Sequence, residues 1–253
     1  MRLTKRYFFW LLITSASLIT TTAWAQMVTV YVQPNKADYQ AASESFRRGQ
    51  LLERISGYIN SRVRMPGNVR LVAAECGGVR AFYDPQRRAV VICYELMENI
   101  ATGVVRDFPG SNQEQIADIS AGAIFFILYH ELGHALIHLL NLPVIAREED
   151  AADAIGTFFI LNSPNRVPAV IGATWFFRQK GMAYTARHFG NEHSLDEQRQ
   201  LNIICHALGS NAQTFGPMAE RLSLPPERAQ RCPSEYARLD SSVRRLLGSH
   251  LRY

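Results

Sequence analysis

Charged residues are scarce in this 253-residue sequence, and no stretch of it is a long run of one charge. They make up 19% of the chain, against 47% hydrophobic residues. Internal repeats and low-complexity tracts are missing as well. This composition excludes a disordered or fibrous chain and predicts a globular protein of one domain, or at most two. We expect no nucleic-acid partner, because the mildly Arg-rich stretch 221–245 is better explained as a solvated helical surface.

Much of the excess of positive over negative charge in the sequence lies at its start. Arg2, Lys5 and Arg6 precede an apolar run over residues 7–19, which is followed by Ala23-Trp24-Ala25. This small-x-small pattern is typical of a signal-peptidase site. Losing three of the 27 basic residues and none of the 22 acidic ones lowers the formal net charge from +5 to +2. The basic start therefore indicates where the protein goes rather than what it binds.

We expect residues 1–25 to be a signal peptide and residues 26–253 to form one exported domain, periplasmic or secreted. The apolar run is short for a permanent anchor, so no stable membrane insertion is expected after cleavage. An uncleaved N-terminal anchor is the alternative interpretation. The residue directly after the expected cleavage site is Gln26 and not a cysteine, which argues against a lipoprotein.

The four cysteines all lie in the part that we expect to be exported. None belongs to a CxxC or CxxH pair, so cysteine ligands for a metal are not expected. An even number of cysteines in an oxidising compartment favours two disulfides. Of the three possible pairings, local structure favours one, because Cys76 and Cys93 flank a hairpin-like stretch while Cys205 and Cys232 share the C-terminal helical region. We predict the pairs 76–93 and 205–232.

Short β-like segments come first in the expected domain, and helical patterns follow. The predicted strands cover residues 27–32, 69–71, 81–83 and 90–94. The predicted helices cover residues 37–64, 113–140, 144–161, 167–188 and 194–208, with one or two more within 225–247. Asn112 is the expected N-cap of the long second helix, with Gln115 as its capping-box partner. The predicted fold class is α+β, a single domain with a small N-terminal sheet or hairpin and a mainly helical remainder.

The long apolar helix contains His130-Glu131-Leu132-Gly133-His134, which matches the motif H-E-x-x-H. At about 100° per residue, His130 and His134 share one helical face, so both imidazoles can reach one metal ion. Glu131 is offset around the helix, where it can take a proton from a metal-bound water without being a ligand. Nitrogen ligands, an open position and a base are what a catalytic zinc ion requires. The alternative is a pair of histidines satisfied on a helix surface.

The next predicted helix begins with the acidic run Glu148-Glu149-Asp150-Ala151-Ala152-Asp153. Glu149 and Asp153 are spaced i, i+4 and share a face, so Glu149 can ligate the metal while Asp153 accepts a hydrogen bond from the outer nitrogen of a ligating histidine. A solvated acidic first turn that complements the helix dipole is the alternative. It does not explain why these acids follow the motif across a short turn, so the two helices together predict one Zn²⁺ ion.

Zinc peptidases with the H-E-x-x-H motif differ in the residue that supplies the third zinc ligand. A metzincin would need a glycine and a histidine where this sequence has Ile137 and Leu140, and we expect His138 to be peripheral. The arrangement instead resembles the gluzincins, whose third ligand is a glutamate. This resemblance implies a zincin-like fold in which His130, His134 and Glu149 hold the zinc ion. Glu131 would be the general base, and Asp153 would orient His130.

One feature departs from the gluzincin pattern. The gap from His134 to Glu149 is shorter than in the large thermolysin-like enzymes. It suggests a compact catalytic core, and it keeps Glu148 as an alternative third ligand.

A wider resemblance covers most of the expected domain. The chain is similar to an uncharacterised family of exported bacterial proteins assigned to the metallopeptidases. The segments that carry this resemblance are residues 76–77, 81–85, 93–96, 129–136, 147–153 and 193–199. The resemblance implies peptidase activity on a peptide or protein substrate, without indicating which one.

Peptide hydrolysis builds negative charge on the carbonyl oxygen, which favours a nearby hydrogen-bond donor. His193, in a loop before a helix, is our candidate for this catalytic role, with Tyr129 behind it. The alternative for His193 is a role in starting that helix. The strip Trp175-Phe176-Phe177 could line a substrate pocket, although helical spacing is more typical of a core.

The sequence therefore favours a zinc-dependent hydrolase, most simply a peptidase with Glu131 as general base. A non-catalytic, zinc-stabilised binding domain of the cell envelope is one alternative, and a zinc amidase acting on cell-wall peptide is another. Oligomeric state and cleavage specificity leave no mark in the sequence.

Overall fold

The computed structural model describes residues 25–178 and 189–252. Its strands are β1 Met27–Tyr31, β2 Val69–Ala74, β3 Ala81–Asp84 and β4 Ala89–Cys93. Its helices are α1 Ala37–Arg48, α2 Leu51–Arg62, α3 Tyr94–Asp107, α4 Gln113–Leu140, α5 Glu148–Leu161, α6 Arg166–Arg178, α7 Asp196–Ser210, α8 Ala212–Arg221, α9 Pro226–Ala229 and α10 Cys232–Leu247. Apart from Ala25, the expected signal peptide lies outside the described residues, as do residues 179–188 of the helix predicted over 167–188.

The described strands form one mixed sheet in the order β1-β2-β4-β3. The first three in this order are parallel, so that Val72 pairs with Val30 on one side and with Val91 on the other. Parallel neighbours need a crossover connection, and α1 and α2 supply the one between β1 and β2. β3 pairs antiparallel with β4 and forms the edge strand that faces α4. With a small sheet followed by packed helices, the fold is α+β, as predicted.

Two parts of the secondary structure differ from the sequence prediction. The helix expected over residues 37–64 is two helices, because the chain turns at Gly49 and Gln50, and Gln50 takes the left-handed conformation with φ 49°. Helices α3 and α8 were not predicted. In α3 the apolar residues recur every three or four positions, but the chain enters the helix directly from β4, and no polar cap separates the two patterns.

Helix α4 begins and ends as predicted. The Asn112 side chain accepts a 2.9 Å hydrogen bond from the Gln115 N–H, and the Gln115 side chain accepts a 3.0 Å bond from the Asn112 N–H. After Leu140, Asn141 takes the left-handed conformation and closes the helix. Helix α4 is long and apolar enough to cross a membrane, but 72% of its most apolar 18-residue stretch is buried inside the protein. Its hydrophobicity is that of a central core helix.

Small residues let α5 and α6 approach α4 closely. A Cβ atom added to Gly133 would lie 2.8 Å from the Cα of Ala152, and one added to Gly172 would overlap the backbone of Ala123. Contacts this short leave no room for larger side chains between the helices. They place the first turn of α5 directly beside the middle of α4.

The two disulfides join Cys76 to Cys93 and Cys205 to Cys232, which are the pairs that the sequence predicts. The first connects the segment before β3 to the end of β4. The second ties α7 to the start of α10. Each bridge connects elements that are near neighbours in the chain, in keeping with the local pairing expected from the sequence.

Candidate functional site

The two histidines of the motif lie on one face in the middle of α4. Their Nε2 atoms are 3.2 Å apart, and the residue His130 is only 5% exposed. This is the arrangement that a spacing of four residues on a helix produces. The two imidazoles therefore meet at one point, inside the protein rather than on a helix surface.

Glu149 reaches the same point from the first turn of α5. Its Oε2 atom lies 3.1 Å from Nε2 of His130 and 3.4 Å from Nε2 of His134. The close packing of Gly133 on Ala152 makes this reach possible, because it brings the two helix backbones into contact. The structure thus brings together the three side chains that the sequence names as metal ligands.

Carboxylates hold the outer nitrogen of each motif histidine. Nδ1 of His130 lies 2.8 Å from Asp153 Oδ1, and Nδ1 of His134 lies 2.7 Å from Glu148 Oε1. Because a carboxylate only accepts, each Nδ1 carries a proton, which leaves each Nε2 as the nitrogen that can bind a metal ion. Glu148, the alternative ligand of the sequence analysis, contacts the outside of His134 instead of the central point.

Asp153 has a second partner that sequence reasoning missed. Arg199, at the start of α7, donates from Nε to Asp153 Oδ2 at 2.7 Å and from Nη2 to Asp153 Oδ1 at 2.6 Å. Both side chains are largely buried, and the guanidinium also lies over the ring of Phe177. A buried aspartate requires a cation nearby, but 46 residues separate the pair in sequence. No local signal could identify which arginine supplies the charge.

His193 joins the cluster from the segment before α7. Its Nε2 atom lies 2.8 Å from Glu149 Oε2, and its ring is stacked on that of His130 with centroids 6.0 Å apart. His130, Glu149 and His193 offer ligand atoms that all lie within 4.8 Å of one another, so this group could also hold a metal ion. The structure therefore places His193 close enough to act as a ligand or as a hydrogen-bond donor beside one.

Glu131 lines two cavities that adjoin the cluster. The backbone of Tyr83, on the edge strand β3, favours the charged form of its carboxylate. Burial raises the pKa of Glu131, although the two motif histidines oppose this effect. A carboxylate in this state is suited to take up and release a proton.

Tyr129 and His138, the other two residues considered from the sequence, lie away from the histidine–glutamate cluster. Tyr129 is buried in the core, where its ring packs against those of Tyr58 and Phe159 at 6.0 Å, so the structure does not bring it to the site. His138 lies at the periphery, and its Nδ1 is 3.0 Å from the hydroxyl of Tyr83. Of the two hydrogen-bond donors suggested by the sequence, only His193 reaches the cluster.

Two cavities share Glu131, His130 and His193 in their lining. One, of about 280 Å³, is walled by Phe126, Ile127, Phe176 and Phe177. The other, of about 500 Å³, opens between β3 and the first turn of α5. Trp175, the third member of the aromatic strip, is buried and donates a hydrogen bond to Asp107. Within this strip, Trp175 therefore belongs to the core, whereas Phe176 and Phe177 line the cavity.

The charges at the centre favour a bound cation. Burial opposes a charge on His130, but contacts with Asp153 and Glu149 outweigh it and raise the pKa of His130 to about 9. The neighbouring histidines hold the pKa of Glu149 well below its usual range, against the effect of burial. Its Oε2 is buried and satisfied by no hydrogen bond among the described residues, although three imidazole nitrogens lie within 3.4 Å of it. A buried carboxylate oxygen surrounded by imidazole nitrogens is a set of ligands that fits a divalent metal ion.

This donor set could hold a metal ion, and comparison with known families also points to a metal. A family model described as "Putative metallopeptidase" matches residues 31–247, and the chain belongs to this family. A metallopeptidase family implies a metal, for which the histidine–glutamate cluster offers a site. No curated protein matches the sequence, and no solved structure does.

Proposed function

We propose that this protein is a zinc-dependent peptidase of the gluzincin type, with a zincin-like domain over residues 26–253. The observation that carries the proposal is the meeting of two imidazole Nε2 atoms and one carboxylate oxygen within 3.4 Å, beside a buried glutamate that is not part of the group. A purely structural zinc site has no need for such a base.

His130, His134 and Glu149 would hold the ion. Two imidazoles and one carboxylate are the ligands of many catalytic zinc sites, which keep a position open for water or substrate. When bound, zinc supplies a Lewis acid that polarises the carbonyl and makes a water more acidic. Asp153 and Glu148 fix the tautomer and the orientation of the two histidines, and Arg199 holds Asp153.

Glu131 acts as the general base and then as the general acid. It takes a proton from the attacking water and passes it to the leaving amine, which its raised pKa favours. His193 donates a hydrogen bond to the carbonyl oxygen as negative charge develops there. Its contact with Glu149 and its presence in the lining of both cavities support this role.

Peptides are the proposed substrates, and the exterior of the cell is the proposed location. The cavity beside His130 is walled in part by apolar side chains, which suits a large hydrophobic side chain next to the scissile bond. Two disulfides are typical of an exported protein, and they support the proposed signal peptide over residues 1–25.

The Glu131→Gln variant tests this function most directly. We expect it to bind zinc like the wild type and to cleave peptides about 100- to 10,000-fold more slowly, because the amide cannot accept the proton. Zinc content by mass spectrometry and cleavage of a peptide library measure the two effects. The matched control is Glu44→Gln, which changes an exposed glutamate of α1 and should leave both unchanged.

Two results would contradict the proposal in different ways. Undiminished turnover by Glu131→Gln would remove the assigned base. Bound zinc without cleavage of any peptide by the wild type would favour a non-catalytic, zinc-stabilised domain.

A further inference from the structure

The segment that carries His193 lies partly exposed at the surface of the described protein. Asn191 and Glu192 are exposed, and the side chain of His193 is 35% exposed. Within the segment, the His193 N–H donates to the Asn191 side chain in a 3.3 Å hydrogen bond. Such a bond stays inside the segment and cannot attach it to the rest of the protein.

The first turn of α5 supplies the attachment. The hydroxyl of Ser194 donates a 2.6 Å hydrogen bond to Asp150 Oδ1. Arg147, which precedes Glu149 by two residues, contacts the same segment. Its Nη1 atom lies 3.5 Å from the carbonyl oxygen of His193. The residues that flank Glu149 in the chain therefore contact His193 and its neighbour.

The three consecutive acids of this turn have three different partners. Successive residues of a helix point about 100° apart, so neighbouring side chains face different directions. Glu148 faces His134, Glu149 faces the central point, and Asp150 faces Ser194. An acid that only complemented the helix dipole would need no partner. Asp150 instead accepts a short hydrogen bond from the residue next to His193, of the kind that is strong when the acceptor is charged.

We propose that Asp150 and Ser194 are positioning residues that hold His193 against Glu149. This inference rests on the proposed function, in which His193 donates to the reacting carbonyl oxygen. The hydroxyl–carboxylate bond fixes the backbone at residue 194, and the imidazole one residue earlier then reaches Glu149 at 2.8 Å. Without that bond, the donor spends less time where the charge develops, while the metal ligands on α4 and α5 keep their places.

The test is a set of variants on both partners. Ser194→Ala and Asp150→Ala should each lower kcat by about three- to tenfold, the worth of one such hydrogen bond, and leave KM and zinc affinity unchanged. Ser194→Thr and Asp150→Asn keep a donor and an acceptor, and they should restore most of kcat. In the double variant, the second alanine should cost nothing further.

A background without His193 separates positioning from general stability. If Ser194 acts through His193, then Ser194→Ala should leave kcat unchanged once His193 is already alanine. An equal loss in both backgrounds would overturn the proposal, as would a change in zinc affinity. The matched control is Thr29→Val, which removes a 3.2 Å hydroxyl–carboxylate bond to Glu53 in the N-terminal part and should not alter kcat.

A measurement on the metal-free protein needs no activity. In ¹H–¹⁵N spectra of the imidazoles, the His193 signal of the wild type should differ from that of a solvated histidine. Ser194→Ala should move the signal toward the solvated value, Ser194→Thr should restore it, and Thr29→Val should leave it in place. An unmoved signal in Ser194→Ala would overturn the proposal. If the wild type cleaves no peptide, the proposed function fails and these spectra still decide whether Ser194 holds His193.

Discussion

Two regions meet at the candidate site, and they are built in different ways. Helices α4 and α5 contribute the proposed ligands from a packed core, where the backbones touch at Gly133 and Ala152. The segment before α7 contributes His193 from a half-exposed position, held by side-chain contacts to α5. The proposed metal ligands are thus positioned by helix packing, whereas the candidate hydrogen-bond donor is positioned by a few polar contacts. Changes in the first region should affect metal binding, and changes in the second should affect turnover alone.

The largest expected effect separates these two regions. Glu149→Ala removes one of three proposed ligands, and zinc affinity should fall more than the roughly 10- to 100-fold cost of losing a ligand's hydrogen-bond partner. His193→Ala should keep zinc and lose kcat. Isothermal titration with zinc, together with peptide cleavage, measures both. Loss of zinc in His193→Ala would instead make His193 a ligand and would remove the distinction between the regions.

Within the first region, the supports of the two histidines should differ in strength. Asp153 is largely buried and has two partners, whereas the side chain of Glu148 is 55% exposed. We expect Asp153→Asn to weaken zinc binding by about 10- to 100-fold and Glu148→Gln to weaken it less, because solvent screens the exposed contact. Zinc titrations compare the two. Equal losses of zinc affinity would show that burial of the carboxylate does not decide how much its hydrogen bond to the histidine contributes to zinc binding.

The packing of α4 on α5 can be tested with one methyl group. In Gly133→Ala the added Cβ would lie 2.8 Å from Ala152 Cα, so we expect the free energy of unfolding to fall by about 1–3 kcal/mol and zinc affinity to fall with it. The control is Gly57→Ala in α2, where a Cβ has open space and should stabilise by about 0.5–1 kcal/mol. Denaturant unfolding measures both. A gain in both variants would show that α5 can move away at no cost.

A buried histidine outside the site provides a reference for the charges within it. Burial lowers the pKa of His206 to about 4, with Glu235 opposing the shift and Arg228 adding to it, whereas contacts with carboxylates raise the pKa of His130 to about 9. The Nδ1 atom of His206 is buried without a hydrogen-bond partner among the described residues. The two histidines are both largely buried, so the carboxylates explain the opposite directions.

This difference predicts a pH dependence. Between pH 6.5 and about 4, the unfolded chain can protonate His206 and the folded protein cannot, so stability falls as the pH is lowered. The contribution is fully present above pH 6.5 and amounts to about 3 kcal/mol. Denaturant unfolding at several pH values should show a shallower loss in His206→Gln. Parallel curves for the variant and the wild type would contradict the assigned pKa.

Several features of the fold follow from local patterns. The bounds of α4 could be predicted because Asn112, Gln115 and Asn141 are chemical signals at its two ends. The break between α1 and α2 could not, because Gln50 takes a left-handed conformation that its residue type does not favour. Helix α3 was missed although its periodicity is present, since a strand passes directly into it.

The sequence by itself determined the chemistry of the candidate site. The spacing within H-E-x-x-H and within the acidic run makes each set of side chains share a helix face, which is a property of any α-helix. It also determined the disulfide pairing, since each bridge connects neighbouring elements. Only the tertiary structure decided which groups meet from distant parts of the chain. Arg199 on Asp153, Glu148 on His134 and Ser194 on Asp150 depend on how α4, α5 and α7 pack, and packing sums many small contacts that no local pattern contains.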